Sequence, residues 1–248
     1  MVRARRLPAP EPDHLSTITV DHSELAGVLD AFVGSGIAAL TERAGALEGY
    51  RDSMTSIDPD ELSGAEALAF WMNLYNAGAL RAAGVAFDGN VGSVLRVPGA
   101  FSAPWATVAG RKLSLDDIEH GKIRRFKDPR IHGALVCGSA SCPTLRPEPF
   151  TGATLDHQLD DQLRYFISHG GGSVSRTDNS VQLSSVFKWY GRDFTSPQTM
   201  PNLSPANTEL LRDTVAYWFS ADDAAYIWGN QPDVMFMPYD WGLGCSVA

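Results

Sequence analysis

The sequence predicts one helix-rich α+β domain with a small, largely antiparallel sheet. The 248 residues are 44% hydrophobic, which is enough apolar material for one sizeable core. Helical spacing of apolar residues recurs along the chain, whereas a pair of alternating, strand-like runs occurs between residues 173 and 184. No linker, repeat or low-complexity block divides the chain. We therefore expect a flexible N-terminal arm over residues 1–20 and a single globular domain over residues 21–248.

The N-terminal half is predicted to be mainly helical. Apolar residues three and four positions apart predict an amphipathic helix within residues 24–40. Ser63 and Glu66 form a capping-box pattern, in which each side chain bonds a backbone N–H group at a helix start. The helix that follows, over residues 64–83, is apolar almost all round, so we expect it to lie at the centre of the domain.

The middle of the chain alternates between loop and short elements. Residues 88–110 are rich in Gly, Pro and Ser and predict a long ordered loop with short extended pieces. Ser114 and Asp117 repeat the capping pattern and predict a short helix that ends before Asp128. Residues 131–137 are apolar and flanked by turn residues, which predicts a buried strand.

The C-terminal part is predicted to mix helices with a hairpin. An amphipathic helix starts at residue 155, and residues 173–184 form a hairpin around Asp178 and Asn179. A short aromatic helix over residues 185–190 is expected to end at a glycine. Ser204, which precedes a proline, is expected to cap another helix, and the last segment is extended and aromatic.

Charge and cysteine content limit the function classes. Twenty basic and 29 acidic side chains give a net charge of -9, so no nucleic-acid surface is expected. The apolar stretches are shorter than the ~20 residues of a membrane span, so no membrane partner is expected. The chain has only three cysteines, a small and odd number that argues against a disulfide framework and favours a cytoplasmic, reducing location. A small molecule or a peptide is the expected partner.

The most distinctive segment runs from His132 to Pro143 and reads HGALVCGSASCP. Cys137 and Cys142 lie where the predicted strand enters a loop of small residues, 138–141. Such a loop can bring its backbone close to a ligand and present N–H groups to an oxyanion. A thiolate nucleophile needs its pKa lowered by an imidazole or by N–H groups, and His120 or His132 is the nearest imidazole in sequence.

Three other interpretations of the two thiols remain open. Free cysteines are commonly small buried hydrophobic residues. A structural zinc site is compatible with the spacing between the two cysteines, although His132 and His120 are the only further ligands nearby. The thiols are also a candidate redox pair, but Cys-x4-Cys is not the thioredoxin-type spacing. We expect no cofactor and keep zinc as the open alternative.

Two polar pairs on predicted helices are further candidates. Glu119 and His120 are adjacent, so their side chains point about 100° apart and do not make a dyad by themselves. Asn73 and Asn76 share one face of the apolar helix, where an unpaired amide costs ~1–3 kcal/mol. These amides either line a pocket or clasp the loop from Asp88 onward, and the clasp is the favoured interpretation.

Five blocks of the sequence resemble one known family. They read AFWMNLYNAG, LSLDDIEHGKIR, DPRIHGALVCGSASCPTLRPEPF, LSSVFKWYGRDF and PYDWGL, and they span residues 69–243. The family is catalogued as domain of unknown function 547. The resemblance implies a domain found in bacteria and, joined to other modules, in plants and animals, with no established reaction. The family pattern falls on Asn73, Asn76, Glu119, His120, Arg130, His132, Cys137, Ser141, Cys142 and Pro143.

These observations predict a thiol-dependent acyl transferase, or a hydrolase of amides or thioesters, acting on a small or peptidic substrate. Cys137 is the expected nucleophile and Cys142 the close second, with His120 as base and Glu119 or His132 as its orienting partner. The expected substrate contacts are Asn73, Asn76, Gly138, Ser139, Ser141 and Arg130. Papain-like and transglutaminase-like enzymes are analogues at the level of fold only. The competing class is a non-catalytic scaffold, which the fusion of the family to other modules suggests.

Overall fold

A computed structural model describes residues 6–198 and 204–244. It confirms the predicted class, since helices dominate and the strands are few and short. The longer helices of the described residues are α1 (Ser23–Ser35), α2 (Ala38–Glu42), α3 (Ala44–Ser53), α4 (Gly64–Asp88), α5 (Leu115–Gly121), α6 (Leu155–Phe166), α7 (Ser185–Thr195), α8 (Thr208–Val215) and α9 (Ala221–Asn230). Cys245 lies outside the described residues.

The strands form two small sheets. Strands β1 (Pro104–Val108) and β2 (Arg111–Ser114) make an antiparallel pair. Strands β3 (Gly172–Ser175) and β4 (Ser180–Leu183) form the predicted hairpin, with Ser175 opposite Ser180. Strand β5 (Asp233–Phe236) adds to β4 in parallel, so the second sheet has the order β3-β4-β5.

Helix α4 is central, as its apolar sequence predicts. The Ser63 hydroxyl accepts a hydrogen bond from the Glu66 N–H at 3.3 Å and so caps the helix. Nearly all its residues between Glu66 and Ala86 are buried, and they anchor one hydrophobic cluster with α1 and α3. A second cluster joins α6, α7 and α8 to the second sheet. The candidate site described below draws residues from both sides of this division.

The predicted buried strand over residues 131–137 is wrong. Residues Pro129–Gly133 form a 3-10 helix, because the Asp128 carboxylate accepts from the Arg130 N–H at 3.0 Å and Pro129 favours a helical start. After this turn, the Ala134 and Leu135 N–H groups donate to the carbonyl of Ile131, and the Asn76 side chain bonds the Ala134 carbonyl and the Val136 N–H, so no neighbouring strand of the described chain pairs with this segment. Burial without alternation could not distinguish these two cases from sequence.

Three helix boundaries also differ from the prediction. The first helix breaks at Gly36, whose φ of 61° ends α1 before α2 begins. Helix α7 continues through Gly191, because that glycine allows close packing against Leu211 rather than ending the helix. Helix α8 is capped by Asn207 instead of Ser204, with the Leu210 N–H donating to the Asn207 side chain at 2.8 Å.

The described part of the N-terminal arm contacts the domain. Lys122 Nζ donates to the carbonyl of Pro8 at 3.0 Å, and Arg125 donates to the carbonyl of Leu7 at 2.7 Å. Farther along, the Val20 N–H donates to the buried Glu66 carboxylate at 2.8 Å. No helix in residues 6–198 and 204–244 is long and apolar enough to cross a membrane.

Candidate functional site: a thiol and imidazole cavity

The Cys loop, residues 137–142, is fixed from below by α4. The Asn76 amide donates to the carbonyl of Ala134 at 3.1 Å and accepts from the Val136 N–H at 3.1 Å. This clasp holds the backbone that leads directly into Cys137. Gly138 then turns the chain at a φ of 79°, where a Cβ atom would lie 2.7 Å from Val94. Only glycine fits this turn without displacing its neighbours.

The C-terminal segment, residues 239–244, fixes the Cys loop from above. Ala140 N–H donates to Gly242 at 2.8 Å, and Gly244 N–H donates to Gly138 at 3.1 Å. The Ser141 hydroxyl accepts from the Asp240 N–H at 2.9 Å. Two segments separated by about a hundred residues in sequence therefore make one rigid structure around the thiols.

Cys137 is surrounded by hydrogen-bond donors. Its Sγ lies 2.8 Å from the Ser139 hydroxyl and 3.3 Å from the Tyr239 hydroxyl, and those two hydroxyls lie 2.8 Å from each other. A hydrogen bond from the Cys142 thiol is the largest influence on the pKa of Cys137, and burial opposes it. With further bonds from Ser139 and Tyr239, the pKa of Cys137 falls to about 6. The surroundings of Cys137 therefore favour its thiolate form.

His132 is held in one orientation by an acid. Its Nε2 lies 2.8 Å from Asp193 Oδ2, and its ring stacks on Tyr190 at 4.1 Å between centroids. Arg124 donates to both oxygens of the same carboxylate, at 2.7 and 3.0 Å. Burial raises the pKa of Asp193, but the hydrogen bonds from His132 and Arg124 outweigh it and lower that pKa to about 2.

The contact with Asp193 fixes the tautomer of His132. An ionised carboxylate accepts a proton from Nε2, so Nδ1 carries the lone pair. Burial lowers the pKa of His132 and outweighs the hydrogen bond to Asp193, so the neutral ring is favoured. Neutral His132 can therefore accept a proton at Nδ1.

His120 lies against Glu119, in spite of their adjacency in the short helix α5. His120 Nδ1 is 3.4 Å from Glu119 Oε1 and 3.3 Å from a guanidinium nitrogen of Arg124. One neighbour accepts a proton and the other donates one, so these contacts do not select a tautomer as Asp193 does for His132.

Glu119 is a buried, ionised carboxylate. Tyr75 OH donates to its Oε2 at 3.0 Å, and Tyr190 OH also donates to it. Burial raises the pKa of Glu119, but His120, His132 and the Tyr190 hydrogen bond together hold it below its ordinary value. The carboxylate faces the site rather than solvent.

These groups meet at one cavity of about 370 Å³, which we call the thiol cavity. Its reactive lining consists of Cys137, Cys142, His120, His132, Glu119 and Tyr239. No direct hydrogen bond joins the Cys137 thiol to either imidazole in the described part of the chain. A bound substrate or a water molecule in the cavity can contact both kinds of group.

The rest of the thiol cavity is lined by aromatic rings and by a second carboxylate. Trp189, Tyr190 and Trp241 form an aromatic wall, in which the two indole rings stack at 5.3 Å between centroids. Asp116 also lines the cavity, and burial raises its pKa. No lysine or arginine is among the lining residues of the described chain.

The predicted substrate contacts do not all reach this cavity. Asn73 clasps Phe150, donating at 2.7 Å and accepting at 2.9 Å, so both asparagines pin backbone as the favoured interpretation expected. Their targets are the segments around residues 134–136 and 150, not the loop from Asp88. Arg130 lies elsewhere, paired with Asp128 and Asp156.

Three of the expected oxyanion donors of the loop backbone are already occupied. Ala140 N–H and Ser141 N–H donate to the C-terminal segment, and Ser139 N–H bonds the Cys137 sulfur. The Ser141 hydroxyl also bonds that segment, on the far side of the loop. The hydroxyls of Ser139 and Tyr239 are the donors that approach the thiol instead.

The sequence analysis assigned no role to two residues that contact the reactive groups, Tyr239 and Asp193. Tyr239 and Asp193 carry no distinctive spacing relative to the cysteines or histidines. One signal was present: Val186, Trp189, Tyr190 and Asp193 lie at helical spacing, so they share one face of α7. That face borders the thiol cavity and reaches His132.

The described residues contain no group of three or more His, Cys, Asp or Glu side chains arranged to hold a metal ion. The site is thus defined by two reduced thiols, two imidazoles and buried carboxylates.

The fold and the cavity define a helix-rich α+β domain with a thiol and imidazole site. Residues 59–167 match the family model described as "Protein of unknown function, DUF547", which confirms the predicted resemblance over that range. The matched range contains both thiols of the cavity and both imidazoles. The two later blocks, LSSVFKWYGRDF and PYDWGL, lie beyond it, and their resemblance stays a prediction. No curated protein and no solved structure matches the chain.

Proposed function

We propose that the protein is a thiol-dependent acyl transferase or hydrolase whose nucleophile is Cys137. The observation that carries this proposal is the set of hydroxyl and thiol donors around the Cys137 sulfur, at the wall of a cavity that also contains two imidazoles. A thiolate held beside a substrate-sized cavity is the starting state of covalent acyl chemistry. Cys142 serves as a hydrogen-bond donor to this thiolate.

In the first step, the Cys137 thiolate attacks the carbonyl carbon of an ester, thioester or amide. The Ser139 and Tyr239 hydroxyls, at 2.8 and 3.3 Å from the sulfur, are the nearest donors for the oxyanion that forms. The bond between the carbonyl carbon and the leaving group breaks, the leaving group takes a proton from water and departs, and a thioester of Cys137 remains. No base is required to ionise the thiol, because its surroundings already favour the thiolate.

In the second step, His132 acts as the base. Its Nδ1 lone pair takes a proton from water or from an acceptor substrate, which then attacks the acyl thioester. The C–S bond breaks, the acylated product leaves and the Cys137 thiolate is regenerated. Asp193 stabilises the imidazolium that this transfer produces, in the manner of an acid and imidazole pair. This assignment replaces the expected base His120, because the orientation and tautomer of His132 are fixed.

The walls of the cavity favour a particular acyl substrate. Aromatic rings and two carboxylates, with no lysine or arginine among the described lining residues, suit an apolar or positively charged molecule. An acyl donor with several phosphates would meet repulsion from Glu119 and Asp116. We therefore favour a small or peptidic substrate that is neutral or cationic.

The test is the detection of an acyl-enzyme. Purified protein is incubated with p-nitrophenyl acetate and butyrate, and the intact mass is followed over time. We expect one acyl group per chain, located on Cys137 by peptide mapping, followed by its loss through hydrolysis. Cys245→Ser serves as the matched control variant and keeps the adduct.

Two outcomes contradict the proposal. An adduct that persists in Cys137→Ser while the protein remains folded places the reaction elsewhere. A folded wild type whose cysteines neither acylate nor react rapidly with iodoacetamide supports the scaffold alternative instead.

A further inference from the structure

The Cys loop brings its two thiols together by folding back on itself. The Cys142 N–H donates to the carbonyl of Ser139 at 3.0 Å, which closes a tight turn. The returning Cys142 sulfur then accepts a hydrogen bond from the N–H of Cys137 at 2.8 Å. A hydrogen bond also joins the two thiols themselves. Hydrogen bonds within the loop itself therefore hold the two thiols close together.

Both cysteines are partly exposed. Each cysteine is half-buried, and both line the thiol cavity. Cys142 also lines a second cavity of about 240 Å³ on the other side of the loop. A small oxidant that enters the thiol cavity therefore meets a thiolate with a second thiol beside it.

We infer that Cys137 and Cys142 form a peroxide-sensitive pair that closes to a reversible disulfide across the Cys loop. This inference goes beyond the acyl chemistry and does not require it. The first thiol to react is Cys137, whose ionised form is the better nucleophile, and Cys142 resolves the product.

The chemistry is balanced with a hydroperoxide as oxidant. The Cys137 thiolate attacks one peroxide oxygen, so an S–O bond forms while the O–O bond breaks and the released hydroxide becomes water. Cys142 then loses its proton and attacks the Cys137 sulfur, so an S–S bond forms while the S–O bond breaks and a second water leaves. Two thiols have lost two electrons and two protons, and hydrogen peroxide has been reduced to water.

The disulfide would also switch off the proposed nucleophile. A Cys137 sulfur bonded to Cys142 cannot attack a carbonyl carbon. Because Gly138 and the small side chains of residues 139–141 line the loop, the ring of six residues can close with a small backbone adjustment. Reduction by a dithiol would restore both thiols.

The experiment measures thiols and masses and therefore does not depend on acyl activity. Reduced protein is treated with hydrogen peroxide at neutral pH, denatured, alkylated and digested with trypsin. Both cysteines lie in one tryptic peptide, because no lysine or arginine occurs between Ile131 and Leu145. We expect that peptide to lose two hydrogens and to resist alkylation until dithiothreitol is added. The reaction should be about tenfold faster than that of a free cysteine.

Variants assign the roles of the two thiols. In Cys142→Ser, dimedone should trap a sulfenic acid on Cys137, whereas Cys137→Ser should leave Cys142 reduced. Cys245→Ser is the matched control and should form the disulfide at the wild-type rate. Three results would overturn the inference: a wild-type sulfenic acid that persists beside a reduced Cys142, a disulfide to Cys245, or a folded protein whose Cys137 oxidises no faster than a free thiol. If the disulfide forms but no acyl-enzyme is ever detected, the acyl proposal fails and the thiol pair stands.

Discussion

The two regions that build the thiol cavity contribute different things. The region that matches the family model, residues 59–167, supplies the reactive groups: the thiols, the imidazoles and Glu119. The region after it supplies their partners, since Asp193 orients His132, Tyr190 bonds Glu119 and Tyr239 bonds Cys137. Reactive side chains alone do not make a site, because the second region adds contacts that orient them and help to set their protonation states.

Among substitutions that remove a partner supplied by the second region, the largest effect is expected at Asp193. In Asp193→Asn, the amide no longer stabilises an imidazolium at His132, so turnover of the acyl-enzyme should fall at least about a hundredfold. Labelling of Cys137 by iodoacetamide should stay near the wild-type rate, because its donors are untouched. Asp161→Asn, which alters a surface ion pair to Arg146, should change neither rate. Equal losses of labelling and turnover would show that Asp193 only maintains the fold.

The two asparagines of α4 test the scaffold beneath the Cys loop. Asn76→Ala and Asn73→Ala each leave a buried backbone N–H and carbonyl without a partner, so each should lower the free energy of unfolding by about 2 kcal/mol. Only Asn76 holds the backbone next to Cys137, so only Asn76→Ala should also slow thiol labelling. Urea denaturation and labelling kinetics measure the two effects. Equal labelling in both variants would contradict the role of this clasp.

Tyr239 tests the contribution of the second region to the thiol. Tyr239→Phe removes one donor, so the pKa of Cys137 should rise and labelling at pH 6 should fall about threefold to tenfold. At pH 9 the labelling rates of the variant and the wild type should converge, because Cys137 is then ionised in both proteins. Tyr226→Phe, at a hydroxyl bonded to Arg176 and Asn179, is the matched control. An unchanged pH profile in the variant would contradict a contribution of the Tyr239 hydroxyl to the pKa of Cys137.

The smallest expected effect concerns Asp116 in the lining of the thiol cavity. Asp116→Asn should reduce the preference for a cationic over an anionic acyl ester about twofold to threefold, because the change removes one charge near the protein surface. The ratio of acylation rates for a matched pair of charged p-nitrophenyl esters measures this preference. A wild type that prefers the anionic ester would contradict the proposed substrate class.

The sequence predicted the reactive groups better than their surroundings. Capping residues and apolar periodicity located α4, α5, α6 and the hairpin, since these signals are local. The strand over residues 131–137 failed because buried apolar residues occur equally in a strand and in a backbone pinned by Asn76. Tyr239 and Asp193 could not be found because their contacts span 102 and 61 residues of sequence. Local patterns carry no information about such pairs.

The most direct measurement is the pH dependence of Cys137 modification. Iodoacetamide labelling of Cys137, quantified by peptide fragmentation between pH 4 and pH 10, reports the fraction of thiolate. We expect a single rise with its midpoint at about pH 6, well below the ~8.5 of a free cysteine. A midpoint at or above the value of the free amino acid, in folded protein, would contradict the claim that this loop stabilises a thiolate.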